Sequence, residues 1–237
     1  MRLDILITEK KLARSRNTAS DLIKNSLVKV NGEIVIKPAK DVPEDSHIEI
    51  LEQPKYVGRG GLKLEKALEE FQINPENLVV LDVGSSTGGF TDCLLQKGAK
   101  KVYALDVGTD QLDPSLKNDS RVISMEKTDI RNIKTLPDKI DLAVIDVSFI
   151  SLEMILESVK NLLKAKGKII ALIKPQFETL KTDKNKSGIV KNDEIREKVL
   201  EKIKNYAKKI NLKVLKETTS PILGGSGNKE YLILMEK

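Results

Sequence analysis

Seven short apolar runs dominate the chain from residue 61 onward, at 78–83, 101–106, 121–124, 141–146, 168–173, 212–217 and 230–235. Segments with helical apolar spacing lie between them, near 62–71, 88–97, 151–163 and 193–209. Runs of that length alternating with helices predict a doubly wound, mostly parallel α/β sheet with helices on both faces. A sheet of that kind binds its ligands beyond the carboxyl ends of the parallel strands. Two such ends carry a charge: Asp146 closes Leu142-Ala143-Val144-Ile145, and Lys174 closes Ile169-Ile170-Ala171-Leu172-Ile173. Glu230 opens the last run, so a final antiparallel strand would bring it to the same edge. Lys63 opens the helical segment ahead of the first run. Two lysines and two acids converging on one edge read as a site.

The first glycine-rich turn, Asp82-Val83-Gly84-Ser85-Ser86-Thr87-Gly88-Gly89-Phe90, joins a strand to a helix start. Glycines there let the backbone approach a ligand over the helix N-terminus. The spacing Gly-x-x-x-Gly-Gly lacks the middle glycine of the dinucleotide fingerprint, with Ser86 in its place, which disfavours a pyrophosphate. Asp106 ends the next strand, 24 residues after Asp82, where an acid commonly bonds ribose hydroxyls. A third acid, Asp129, ends the segment after that. The set Asp82-x-Gly84, Asp106, Asp129 and Asp146 resembles the methyltransferases that use S-adenosylmethionine. Acids at strand ends suit a ribonucleoside bearing a cationic sulfonium.

Composition narrows the chemistry. Cys93 is the only cysteine and His47 the only histidine, which argues against a disulfide framework, a cysteine zinc site and a Ser-His-Asp triad. Cys93 reads as buried packing, and His47 as a loop or strand-edge residue. No apolar run reaches the ~18 residues of a membrane helix, and the start is too acidic for a signal peptide. The expectation is a soluble cytoplasmic protein. The net charge is +6, and residues 1–40 hold nine Lys/Arg against four Asp/Glu, a possible footprint for nucleic acid. Aromatic residues make up 3% of the chain, which favours folded RNA read by shape and phosphate over a stacking platform for single strands.

Residues 1–51 read as a separate small α+β unit. A short helix at 2–7 and a second from Ser15 to about Asn25 precede strands at 27–30 and 34–36, joined by the hairpin turn Asn31-Gly32. A third strand follows at 47–50. Arg2-Leu3-Asp4, Ser15-Arg16, Ala19, Leu22-Ile23 and Val28-Lys29-Val30-Asn31-Gly32 resemble the S4-type RNA-binding domain of a ribosomal protein, several pseudouridine synthases and bacterial tyrosyl-tRNA synthetases. In that fold Arg2, Arg14, Arg16, Lys24 and Lys29 would lie on or near the phosphate-binding face. Residues 52–60, bracketed by Pro54 and Gly58, read as a linker, and 61–237 as the second domain. The polar stretch 178–192 is a lid candidate.

The fourth strand end reads Asp146-Val147-Ser148-Phe149, without the Pro-Pro-aromatic motif of amino-nitrogen methylases and without a cysteine for cytosine-carbon chemistry. The set Lys63, Asp146, Lys174 and Glu230 resembles the K-D-K-E tetrad of FtsJ-type ribose 2′-O-methyltransferases. Taken whole, the chain is similar to the hemolysin A (TlyA) family, an S4-type domain fused to a Rossmann-like, FtsJ-like methyltransferase domain. The matching motifs are Gly58-Arg59-Gly60-Gly61-Leu62-Lys63-Leu64, Asp82 to Asp92, Ile145 to Phe149, Ile173 to Glu178, and Gly225 to Glu230.

The resemblance implies S-adenosylmethionine bound by Asp82, Gly84, Ser85, Ser86, Gly88, Gly89, Phe90, Asp106, Asp129 and Asp146. It implies ribosomal RNA or ribosomal subunits as partner, with Arg59 among the RNA contacts, and a cytidine ribose as methyl acceptor. Lys174 is then the general base. A free lysine titrates near ~10.4, so burial and a neighbouring cation are needed to release its proton. Lys63 would supply that cation or hold phosphate, and the two acids would orient the lysines. Two rival readings remain: a non-catalytic ribosome-assembly factor, and a hemolysin-like membrane-active protein.

Overall fold

The computed structural model describes the backbone of residues 1–237 and every side chain except that of Asn17. It divides into two units, Met1–Gly58 and Arg59–Lys237.

In the first unit, α1 (Leu3–Glu9) and α2 (Arg16–Lys24) pack on a three-stranded antiparallel sheet of β1 (Val28–Val30), β2 (Glu33–Ile34) and β3 (Ile48–Ile50), in the order β2-β1-β3. The apolar faces anticipated from spacing close the core, with Leu3, Leu6, Ile7, Ala19, Leu22, Ile23 and Val28 buried. Ser15 caps α2, its hydroxyl accepting from the Thr18 N–H at 3.2 Å. Asn31 and Gly32 both adopt positive φ, 50° and 88°, as a two-residue hairpin of the primed type requires. His47 stands just before β3, exposed, its N–H donating to Asn31 Oδ1. The segment read as a linker is not featureless: Tyr56 is buried and lines a cleft with Thr8, Leu12, Leu22 and Pro54.

The second unit opens with α3 (Gly60–Phe71) and then alternates: β4 (Val79–Val83), α4 (Gly89–Gln96), β5 (Lys101–Leu105), α5 (Pro114–Lys117), β6 (Val122–Met125), β7 (Ile140–Ile145), α6 (Leu156–Leu162), β8 (Leu163–Ile173), α7 (Pro175–Glu178), α8 (Asp193–Lys209), β9 (Lys213–Thr219) and β10 (Tyr231–Glu236). The sheet order is β6-β5-β4-β7-β8-β10-β9. The pairs β4–β5, β5–β6, β4–β7 and β7–β8 are parallel, and β10 runs antiparallel to both neighbours. The central strands are buried on both faces, Leu81, Val83, Ala143, Ile145, Ile169 and Ala171 on one and Val80, Leu142, Val144, Ile170 and Leu172 on the other, as continuous apolar runs in a covered parallel sheet should be.

The largest departure from expectation is at 151–163. Helix α6 is shorter, preceded by a 3₁₀ turn at Leu152–Met154, and β8 begins at Leu163, paired with Ile140. A tight turn is the cause: Lys166 is left-handed (φ 60°), and a Cβ on Gly167 would stand 3.0 Å from the Leu163 Cβ. The stretch 178–192 is also more anchored than a free lid. The buried Asn228 side chain accepts from the Val190 N–H at 2.9 Å and donates to the Gly188 carbonyl at 3.1 Å.

Candidate active site

Strand order reverses between β4 and β7, and the crevice this leaves at their carboxyl ends is where a doubly wound sheet takes its ligand. Asp82 and Gly84 stand at the end of β4 and Asp146 follows β7, its N–H donating to the Val83 carbonyl at 2.9 Å. Gly84 is obligatory here. Its φ is +84°, and a Cβ would lie 2.6 Å from the Asp146 carbonyl oxygen. Gly60, at the start of α3, is bare for a similar reason: its Cβ would meet the Phe90 ring at 3.3 Å and Asp146 Oδ2 at 3.5 Å. That close approach seats the first turn of α3, and hence Lys63, beside the end of β7.

The four tetrad residues form two ion pairs. Lys63 Nζ donates to Glu230 Oε2 at 2.6 Å, with both side chains buried. Glu230 immediately precedes β10, which delivers it to the catalytic edge by running antiparallel. A Cβ on Gly224 would fall 2.2 Å from Glu230 Oε1, so the preceding loop also hugs this carboxylate. Lys174, one residue past β8, lies 2.6 Å from Asp146 Oδ1 and donates to Ser148 Oγ at 3.0 Å. A Lys63 cation closed off by Glu230 is a net-neutral pair, so it presents little positive field to Lys174.

The acids assigned to a cofactor behave differently from one another. Asp82 is fully buried, its Oδ2 accepting from the Thr91 hydroxyl at 2.6 Å while Oδ1 has no hydrogen-bond partner. Burial pushes its carboxyl up to about 7, partly offset by Thr91 and reinforced by the negative charges of Asp146 and Asp106. Asp106 accepts from the N–H groups of Ser86 and Gly108, both at 2.7 Å, which ties the glycine turn to the end of β5. Ser86 is left-handed (φ 48°), doing by strain what a glycine would do freely. Ser85 is buried, and Gly88, Gly89 and Phe90 lead into α4, with Gly88 at φ 99°. Asp129 is already engaged: it caps the 3₁₀ turn at 130–132 and pairs with Arg131 at 2.5 Å, which holds its carboxyl below the usual range.

An acid with an unpartnered oxygen, further carboxylates nearby and a backbone stripped of Cβ atoms fit a cationic nucleoside. Asp82, Asp106 and Asp146 would hold it, with the turn 84–90 as the cradle. Three residues carry no assigned role from sequence alone. Thr91 is the buried donor to Asp82. Ser148 is the second partner of Lys174. Phe149 is 90% exposed at φ 64° and stacks against Phe177 with ring centroids 4.9 Å apart. A bulky side chain both strained and solvated is a signal of function, but only the backbone angle shows the strain.

The basic residues expected to touch RNA separate into groups. Arg2 grips the buried Asp4 through Nε at 3.0 Å and Nη2 at 2.8 Å, and Arg16 adds a contact at 3.5 Å. The Arg2 guanidinium keeps the Asp4 carboxyl low against the opposing effect of burial. Arg14 lines the cleft with Lys11. Lys24 is exposed, and Lys29 stands 3.8 Å from Glu49. Arg59 belongs to the second unit, with Nη2 3.7 Å from the point a Cβ on Gly225 would occupy.

The comparisons agree with this geometry. Residues 56–237 match the family model of the FtsJ-like methyltransferase, and residues 1–48 match that of the S4 domain. The solved structure of a candidate S-adenosylmethionine-dependent methyltransferase from Listeria monocytogenes shares the fold at TM-score 0.57 and 17% identity, covering 76% of this chain and 99% of that one. The class is therefore that of FtsJ-like methyltransferases carrying an amino-terminal S4 domain. Hemolysin A of Brachyspira hyodysenteriae is 44% identical over 98% of both chains. The 16S/23S rRNA (cytidine-2′-O)-methyltransferase TlyA of Mycobacterium tuberculosis is 36% identical over 98% of this chain and 88% of its own. A candidate hemolysin of known structure from Streptococcus thermophilus superposes at TM-score 0.81 with 42% identity, covering all of this chain and 88% of that one. The chain belongs to the hemolysin A (TlyA) family. Among the described residues no helix is long and apolar enough to cross a membrane.

Proposed function

We propose that this protein methylates the 2′-hydroxyl of a cytidine ribose in ribosomal RNA, using S-adenosylmethionine. The observation that carries this reading is the pairing of Lys174 with Asp146 at the edge where Asp82 and Gly84 form the nucleoside cradle. The bound cofactor supplies an electrophilic methyl group on a cationic sulfur. A ribose hydroxyl attacking it must lose a proton, and Lys174 Nζ stands at the strand end to accept it. Asp146 orients that amine. Lys63 and Glu230, buried and paired with each other, would line the acceptor's side of the site. Phe149 offers an exposed ring face against which a base can rest. Arg2, Arg14, Arg16, Lys24, Lys29 and Arg59 supply phosphate contacts, which position RNA without reading its sequence.

Transfer of labelled methyl to purified ribosomal subunits, compared with Lys174→Ala, tests this. Label on ribose in the wild type and none in the variant is the expected result, and the labelled subunit identifies the substrate. No label on either subunit or on whole ribosomes, with cofactor still bound, would instead support an assembly factor that has kept the fold.

A further inference from the structure

Lys174 is committed in the free protein to two partners of opposite electrical character. Asp146 is a carboxylate whose Oδ1 stands 2.6 Å from the amine. Ser148 Oγ, at 3.0 Å, accepts a hydrogen bond without adding charge. A base held only by an anion faces a conflict, because the ion pair that locates the nitrogen also keeps it protonated. A neutral partner resolves that conflict. A deprotonated amine has two N–H groups and one lone pair. With one N–H on Ser148, and Asp146 Oδ1 beside the nitrogen at 2.6 Å but outside hydrogen-bond geometry, the lone pair is left to the side that these two do not occupy. The local backbone supports this placement. Phe149, in the left-handed region at φ 64°, turns the chain sharply just after Ser148, and Ser148 itself is exposed. A hydroxyl on an exposed turn that reaches back to a half-buried lysine is not explained by core packing.

We propose that Ser148 is a positioning residue that keeps the Lys174 amine aimed at the acceptor hydroxyl after its proton has left. The proposal rests on Lys174 being the base. In the step it serves, the 2′-hydroxyl proton passes to Lys174 Nζ, the oxygen–methyl bond forms, and the sulfur–methyl bond breaks to leave a neutral thioether. Lys174 Nζ then returns its proton to water. Without the hydroxyl, Asp146 becomes the sole neighbour that locates the nitrogen, and the amine is no longer aimed by a second hydrogen bond.

The test compares Ser148→Ala and Ser148→Thr with the wild type, using Lys174→Ala as a control for the base itself. Two quantities are read between pH 6 and 10. One is the single-turnover rate of methyl transfer to ribosomal subunits. The other is the rate at which acetic anhydride acylates Lys174 in the free protein, followed by peptide mass spectrometry. Loss of one aligning hydrogen bond should lower the Ser148→Ala rate about tenfold near neutrality, with the cofactor KM unchanged. The pH of half-maximal turnover and of half-maximal Lys174 acylation should both fall by roughly half a unit, because the ammonium is the stronger donor to Ser148 and loses that acceptor. Ser148→Thr, which keeps the hydroxyl, should restore both. Either of two results overturns the proposal: Ser148→Ala matching the wild type in both profiles, or Ser148→Thr as impaired as Ser148→Ala while melting normally. Full activity in Lys174→Ala would refute the base assignment itself, a failure distinguishable from the other two.

Discussion

Asp82→Asn should make the free protein more stable in alkaline solution while weakening its hold on the cofactor. The wild-type carboxyl is fully buried, has one unpartnered oxygen, and titrates at about 7 against an ordinary 3.8. A raised carboxyl favours the protonated native state. Below the unfolded value both states carry the proton, and the shift contributes nothing. As pH rises from there toward 7 the unfolded chain ionises first, so the native state loses ground. Roughly three units at about 1.4 kcal/mol each place the full penalty near 4 kcal/mol, of which about 3 kcal/mol develops between pH 5 and pH 9. Asparagine does not titrate. Its carbonyl can still accept from Thr91, and any cost of its buried NH₂ is independent of pH. The stability difference between variant and wild type should therefore move in the variant's favour by about 3 kcal/mol across that range, or very roughly 5–10 °C in the melting of the second unit. Scanning calorimetry at five pH values measures it, and other titrating groups cancel in the difference. A difference that stays flat from pH 5 to 9 would refute the raised carboxyl. A cation bound beside Asp82 should also release its proton, so calorimetric binding of the cofactor near pH 7 should depend on the ionisation heat of the buffer.

Three further substitutions probe the cradle and the RNA face. Gly84→Ala adds a Cβ at φ +84° whose two nearest neighbours, the Asp146 carbonyl oxygen at 2.6 Å and carbon at 3.0 Å, are backbone and cannot swing away. A loss on the order of 2–3 kcal/mol is expected together with loss of cofactor binding, and a melting temperature equal to wild type would show that the Asp146 backbone yields. Arg14→Ala and Arg16→Ala should each weaken binding across RNA sequences and flatten the salt dependence of log K by roughly 0.7–0.9 per contact. An unchanged slope in filter binding would remove that arginine from the RNA face.

Much of the architecture was legible before any coordinates, for a local reason. Apolar runs such as Ile169–Ile173 and the helical spacing of 193–209 are patterns over consecutive residues, and each sets its own element with little help from elsewhere. The hairpin at Asn31-Gly32 and the glycine turn at 84–89 are likewise short-range, since they reflect which backbone angles a residue tolerates. The helix expected near 151–163 stops at Leu162, because Leu163 pairs with Ile140, a contact no local pattern contains.

The amino-acid sequence thus determined the elements, the class of sheet and the identity of the charges at its edge. Which charge meets which was decided by tertiary structure alone. Lys63 and Glu230 are 167 residues apart and become a buried pair only because β10 enters the sheet antiparallel between β8 and β9. Asp82 reads as one acid among several until burial and the charges of Asp146 and Asp106 raise it. Asp129, its equal on paper, is neutralised by the nearby Arg131. The strength of a charge depends on the dielectric and the neighbours around it, and these exist only once distant strands have been laid side by side.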